Sequence, residues 1–72
     1  MRQNMKAERG RKNMSAKEVA KCIGVHENAL LRWENGDSEP LGSNLIALAD
    51  FYGCTPDYLL DLTDERTVAV IR

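Results

Sequence analysis

The 72-residue sequence predicts an all-α domain of five short helices, followed by a short extended C-terminal tail. Apolar residues recur at helical spacing in several stretches, and helix-starting pairs such as Ser15 with Glu18 and Thr55 with Pro56 stand in front of them. Gly24, Gly36 and Gly53 close those stretches, and there is no repeat, low-complexity segment or linker between them. The expected division is a helical domain over 1–62 and a tail over 63–72.

The first helix is expected from Arg2 or Gln3 to about Lys12, in spite of Gly10, which weakens a helix interior by ~1 kcal/mol. Asn13 then serves as a left-handed cap, and Met14 drops into the core. Ser15 and Glu18 have capping-box spacing, in which hydroxyl and carboxylate satisfy N–H groups that a first helical turn leaves open, so the second helix starts at Ala16. Val19, Ala20 and Ile23 give it a narrow apolar stripe flanked by Lys17, Glu18 and Lys21. Gly24 lacks a Cβ and lets the chain turn through the left-handed region. The third helix opens at His26 or Glu27, carries Ala29, Leu30 and Trp33 on its inner side, and ends at Asn35-Gly36. Asp37 to Pro40 reads as a loop, because Pro40 biases Glu39 away from helix.

Leu45, Leu48, Ala49 and Tyr52 mark a fourth helix stopped by Gly53. Thr55, Pro56 and Asp57 are an N-cap, a first-turn proline and an acid suited to the positive end of a helix, and they open a fifth helix through Leu62. Helices this short are unstable alone, since nucleation is costly below ~12 to 15 residues. In the tail, Arg66 to Ile71 is rich in β-branched residues and favours extended backbone. A lone strand is not stable in water. Three outcomes are open: pairing with the same strand of a second subunit, docking on a partner's fifth helix, or a frayed chain end.

Composition excludes several function classes. A domain of this size buries only ~60 to 65% of its unfolded surface, so a dimer partner would help. Cys22 and Cys54 lack CxxC spacing and His26 is the single histidine, so no metal is expected and both cysteines read as small hydrophobes in a reducing cytosol. No apolar run reaches the length of a membrane span and no signal-peptide core is present, from which a soluble, cytoplasmic protein without membrane contact is expected. No Cys-His or Ser-His-Asp set can be completed and no glycine-rich phosphate loop exists, so the chain is read as no enzyme, with no cofactor and no evident small-molecule ligand. Phe51, Tyr52 and Tyr58 fall on packed faces and offer no stacking platform for single strands.

The net charge of −1 lacks the basic excess usual for phosphate binding, but the charge is segregated. Residues 1–36 hold eight basic and four acidic side chains, and residues 37–72 hold two and seven. Because exposed charges reach only ~8 Å at physiological salt, a basic half can face phosphates while an acidic half points away, from which real but modest phosphate binding is expected; imbalance by chance is the bland alternative.

The run Ser15 to Gly36, with capping Ser15, small Ala20, the Gly24-Val25 turn, Leu30, and Arg32-Trp33-Glu34-Asn35-Gly36, resembles the helix-turn-helix family of phage repressors and Cro-like regulators. The likeness extends from Asn4 in front to Leu60 behind, about four fifths of the chain. It implies a lambda-repressor-like five-helix fold and sequence-specific binding of a double-stranded DNA operator by a transcriptional regulator, a repressor from a phage or mobile element. The helix over about 26–35 would lie in the major groove, and a homodimer would span half-sites ~34 Å apart.

With Leu30 and Trp33 facing inward, Glu27, Asn28, Leu31 and Arg32 form the outward, base-reading side. Asn28 has the groups to pair with adenine, Arg32 with guanine or a phosphate, and Glu27 with cytosine N4, while Leu31 suits either a thymine methyl or a protein partner. In the family, positions matching Glu27, Asn28 and Arg32 often reach base edges.

Phosphate contacts are expected from Ser15, Ala16 and Lys17 at the start of the second helix, where N–H groups and the helix dipole favour an anion. His26 suits a cap or a phosphate contact, Asn35 matches a phosphate-contacting position in the family, and Ser38 and Asn44 add neutral donors. Two departures weaken the case: Ala16 stands where relatives commonly carry Gln, and the loop after Gly36 is acidic where many relatives are basic. The resemblance also implies a structural ion pair between Arg9 and Glu34. The alternative function is a protein-interaction module on the same scaffold, such as an antitoxin or antirepressor partner.

Overall fold

The computed structural model describes residues 1–67 and contains α1 (Gln3–Arg11), α2 (Ala16–Ile23), α3 (Glu27–Asn35), α4 (Gly42–Tyr52) and α5 (Pro56–Leu59). No strand occurs among the described residues. The capping box of α2 is complete: the Glu18 N–H donates to Ser15 Oγ at 3.1 Å, and the Ser15 N–H donates to Glu18 Oε1 at 2.9 Å. Thr55 Oγ1 caps α5 by accepting from the Tyr58 N–H at 3.2 Å.

All five helices stop in the same way, with a left-handed residue followed by a backbone bond reaching back over the last turn. Met14, Val25, Asp37, Cys54 and Leu62 donate to Arg9, Ala20, Arg32, Ala49 and Asp57 respectively, the six-to-one bond of the Schellman motif. Three of the left-handed positions are glycines and the other two are Asn13 (φ 55°) and Asp61 (φ 61°). Asp61 corrects the expected length of α5, which ends at Leu59 rather than Leu62. Its reward for the unfavourable conformation is long-range: Oδ2 accepts from the Gln3 N–H at 2.9 Å and Oδ1 from the Asn4 N–H at 3.0 Å. A helix running on to Leu62 would lose this cap on α1.

Met5, Val19, Ala20, Leu30, Trp33, Leu48, Ala49, Tyr52 and Leu59 form the core, with Met14, Ile23 and Leu45 packed half-buried against it. Two carboxylates are buried with them, Glu8 and Glu34. Glu34 accepts from Arg9 Nε at 2.8 Å and Arg9 Nη2 at 3.0 Å, which joins α3 to α1. Glu8 receives Arg66 Nε and Nη2 at 2.8 and 2.7 Å, and Arg11 Nε lies 3.3 Å away. Arg66 Nη2 also donates to Tyr52 O at 2.8 Å, capping the end of α4. Arg66 therefore folds back onto the helices where the sequence suggested the beginning of a free extended segment. The rest of the expected dimerisation strand, residues 68–72, lies outside the described residues.

The Tyr52 hydroxyl is buried with no hydrogen-bond partner among the described residues, and burial, with the Glu34 carboxylate nearby, pushes its pKa upward. Tyr52→Phe is expected to leave stability unchanged or raise it by up to ~1 kcal/mol in urea unfolding, since the polar group it removes gains nothing from burial. A loss larger than this would mean that the hydroxyl is bonded in solution.

Candidate nucleic-acid interface

The α2–α3 pair is built for a fixed outward surface. Gly24 (φ 76°) turns the chain, Val25 and Ile23 pack half-buried beside it, and α3 begins at Glu27 after the extended residue His26. Leu30, Trp33 and Glu34 are buried, so the inner side of α3 is anchored by apolar packing and by the Arg9 ion pair. Glu27, Asn28, Arg32 and Asn35 are exposed on the same helix. Lys17, Glu18 and Lys21 are exposed along α2.

Leu31 differs from its expected position. It is half-buried and rests against the core, because the apolar surface of α3 is wide enough to take in Ala29 and Leu31 beside Leu30 and Trp33. It is a packing residue more than a freely projecting one. At the start of α2, Ala16 is buried, so only its backbone can meet an anion. The Ser15 N–H is taken by Glu18 Oε1, as the capping box requires, and is not free for the phosphate contact also expected of it. The box also sets a carboxylate at that helix start, and its bonds from Ser15 hold Glu18 below its ordinary pKa, so the first turn is less attractive to phosphate than the sequence implied. His26 is exposed and makes no side-chain cap bond. Ser38 and Asn44 are half-buried.

The basic half of the chain is less available than its composition suggests. Arg9 is engaged by Glu34, Arg11 by Glu8, and Lys12 Nζ lies 5.0 Å from the centre of the Phe51 ring. Arg2 is turned against backbone carbonyls. Among the described residues Lys17, Lys21 and Arg32 make no ion pair and remain as the cations of the α2–α3 surface. Sequence reasoning missed the roles of Arg2, Glu8, Asp61 and Arg66. Each depends on a partner at least 30 residues away, apart from the Arg66 bond to Tyr52 O across 14 residues and the local Glu8–Arg11 contact, which i,i+3 spacing could have shown. Among the described residues no cluster of metal-ligating side chains is present and no helix is long and apolar enough to cross a membrane.

Known proteins share this arrangement. The repressor protein C2 of Salmonella phage P22 is 37% identical over 60 residues, which are 83% of this chain and 28% of that protein. The HTH-type transcriptional regulator DicA of Escherichia coli (strain K12) is 38% identical over 52 residues, 69% of this chain and 38% of that protein. The chain thus spans well under half the length of these relatives. Among solved structures, the P22 c2 repressor in complex with a synthetic operator superposes with a TM-score of 0.74 at 38% identity, covering 78% of this chain and 85% of that one. The solution structure of the DNA-binding domain of the same repressor gives a TM-score of 0.73 at 36% identity, covering 86% and 84%. A helix-turn-helix family model matches residues 5–59, so in sequence as in fold this chain belongs to the helix-turn-helix family.

Proposed function

We propose that the protein is a sequence-specific binder of double-stranded DNA that acts as a transcriptional repressor of the phage or mobile-element kind, with α3 in the major groove. The observation that carries this reading is the two-sidedness of α3: Leu30, Trp33 and Glu34 are locked inside while Glu27, Asn28 and Arg32 stand exposed on one rigid rod. The P22 repressor structure with operator DNA, similar over most of the chain, supports it. Asn28 and Arg32 are assigned to base edges and Glu27 to tuning the preference, since a carboxylate accepts from cytosine but repels phosphate. Lys17, the backbone at Ala16, and Asn35, His26, Ser38 and Asn44 are assigned to the phosphates, and Leu31 is left with at most a peripheral contact. A homodimer on a two-fold site is part of the proposal.

Selection of duplexes from a random pool, followed by titration across salt concentrations and sizing of the complex, tests it. Binding should weaken steeply as salt rises, with a slope of ~0.9 per phosphate neutralised. Asn28→Ala and Arg32→Ala should each relax preference at one position, by ~1 to 3 kcal/mol of discrimination, while Lys17→Ala should weaken all duplexes alike and flatten the slope by about one unit. A flat salt response, or three variants that bind like the parent, would assign this surface to a protein partner instead.

A further inference from the structure

The C-terminal end of α3 is held by a residue outside the helix-turn-helix. Arg2 precedes α1 in extended backbone (φ −89°, ψ 91°), and its N–H donates to Glu34 O at 2.7 Å. Its Nη1 donates to Trp33 O and, at 2.8 Å, to Ser38 O, while Nη2 lies 3.5 Å from Glu39 Oε1. The same segment runs past the α3 stop, where a Cβ on Gly36 would sit 3.6 Å from the Met1 nitrogen. One side chain thus ties the last turn of α3 to the loop leading into α4.

The Arg2 side chain is only 13% exposed, so its charge is directed at carbonyls and away from solvent. Trp33 O and Glu34 O belong to the last turn of the helix, where carbonyls run short of donors; among backbone donors Trp33 O is reached only by the Gly36 N–H at 3.2 Å, and Glu34 O by the Arg2 N–H. A cation placed there also meets the negative end of the helix dipole. Recognition needs side chains held within ~0.5 Å of their working position, and a helix whose last turn drifts cannot provide that.

We propose that Arg2 is a positioning residue for DNA binding: it fixes the C-terminal end of α3 and the Asp37–Leu41 loop against α1, and so supports affinity without touching DNA. This inference rests on the DNA-binding reading given above. Arg2→Met and Arg2→Gln are compared with the parent chain at a temperature where circular dichroism shows all three folded. Each is titrated with a duplex selected by the parent, at several salt concentrations, and hydrogen exchange is followed at the amides from Asn35 to Leu41.

The expected result for Arg2→Met is roughly fivefold to tenfold weaker binding, the size of one lost hydrogen bond of ordinary net strength, with an unchanged salt slope and faster exchange confined to Asn35–Leu41. Arg2→Gln, which keeps a donor, should recover part of both. A slope reduced by about one unit would show a direct phosphate contact and overturn the proposal. Unchanged affinity, or two variants that do not fold, would overturn it as well. A parent chain with no salt-dependent duplex binding would instead remove the DNA reading; the exchange data would then still report whether Arg2 holds the loop.

Discussion

Arg9→Met is expected to destabilise the fold by ~3 to 5 kcal/mol, the cost of leaving a buried carboxylate without its counter-ion. Glu34 is 2% exposed and both of its oxygens are bonded by the Arg9 guanidinium. Without that partner Glu34 must draw water into the packed face of α3 or pull the helix away from α1, and each of these costs free energy. A domain of this size has a total stability of roughly 4 to 11 kcal/mol, so the variant should be close to unfolding at room temperature. Urea unfolding followed by circular dichroism measures the loss. Replacing both partners, Arg9→Met with Glu34→Met, should recover much of it, because a matched apolar pair leaves no stranded charge. A single substitution that costs less than about 1 kcal/mol would mean that apolar packing through Leu30 and Trp33 alone sets the pose of α3.

The second large effect is expected at Arg66, and pH should reveal its cause. Hydrogen bonds from the Arg66 guanidinium hold the Glu8 carboxyl below its ordinary pKa, against the opposing effect of burial. A carboxylate whose pKa is depressed by folding contributes stability above the unfolded value, and that contribution disappears as pH falls through the folded value. Arg66→Met, or a chain ended after Leu62, removes the largest cause of the depression and leaves Glu8 facing only Arg11, whose side chain is 62% exposed. The thermal midpoint should therefore drop at pH 7 by more than about 5 °C, a shift of the size expected for losing a substantial interaction in a small domain. Below the usual carboxylate range the gap between parent and variant should close, since Glu8 is protonated in both. Midpoints that stay parallel between pH 7 and pH 3 would show that the arginine acts only through its bond to Tyr52 O.

Local signals in the sequence located the helices, and they did so because each end is decided within a few residues. Ser15 with Glu18, Thr55 with Pro56, and the left-handed stops at Asn13, Gly24, Gly36 and Gly53 all act on backbone groups one turn away. The exposed placement of Glu27, Asn28 and Arg32 follows from the same periodicity, once Leu30 and Trp33 are set inside. Leu31 was misplaced because a binary inside-or-outside pattern has no category for a residue on the border of a wide apolar face.

The polar bonds that join distant segments left no local trace. Glu8 and Arg66 lie 58 residues apart, and Asp61 reaches across a similar span to cap α1. Arginine after arginine reads in the sequence as surface charge, while packing decides which of them turns inward. Asp61 carried one usable hint, since aspartate tolerates the left-handed region better than most residues and can stop a helix without a glycine.

The arginines paired with carboxylates also bear on how fast this molecule would find a target. A protein whose field extends into solvent draws a polyanion toward itself from a distance and speeds up encounter. Here the formal charge is −1 and four arginines are paired with carboxylates of the same chain, which leaves Lys17, Lys21 and Arg32 to supply the attraction of the α2–α3 surface. For the DNA binding proposed above, an association rate near that of two patches colliding with little steering, ~10⁵ to 10⁷ M⁻¹s⁻¹, is therefore expected.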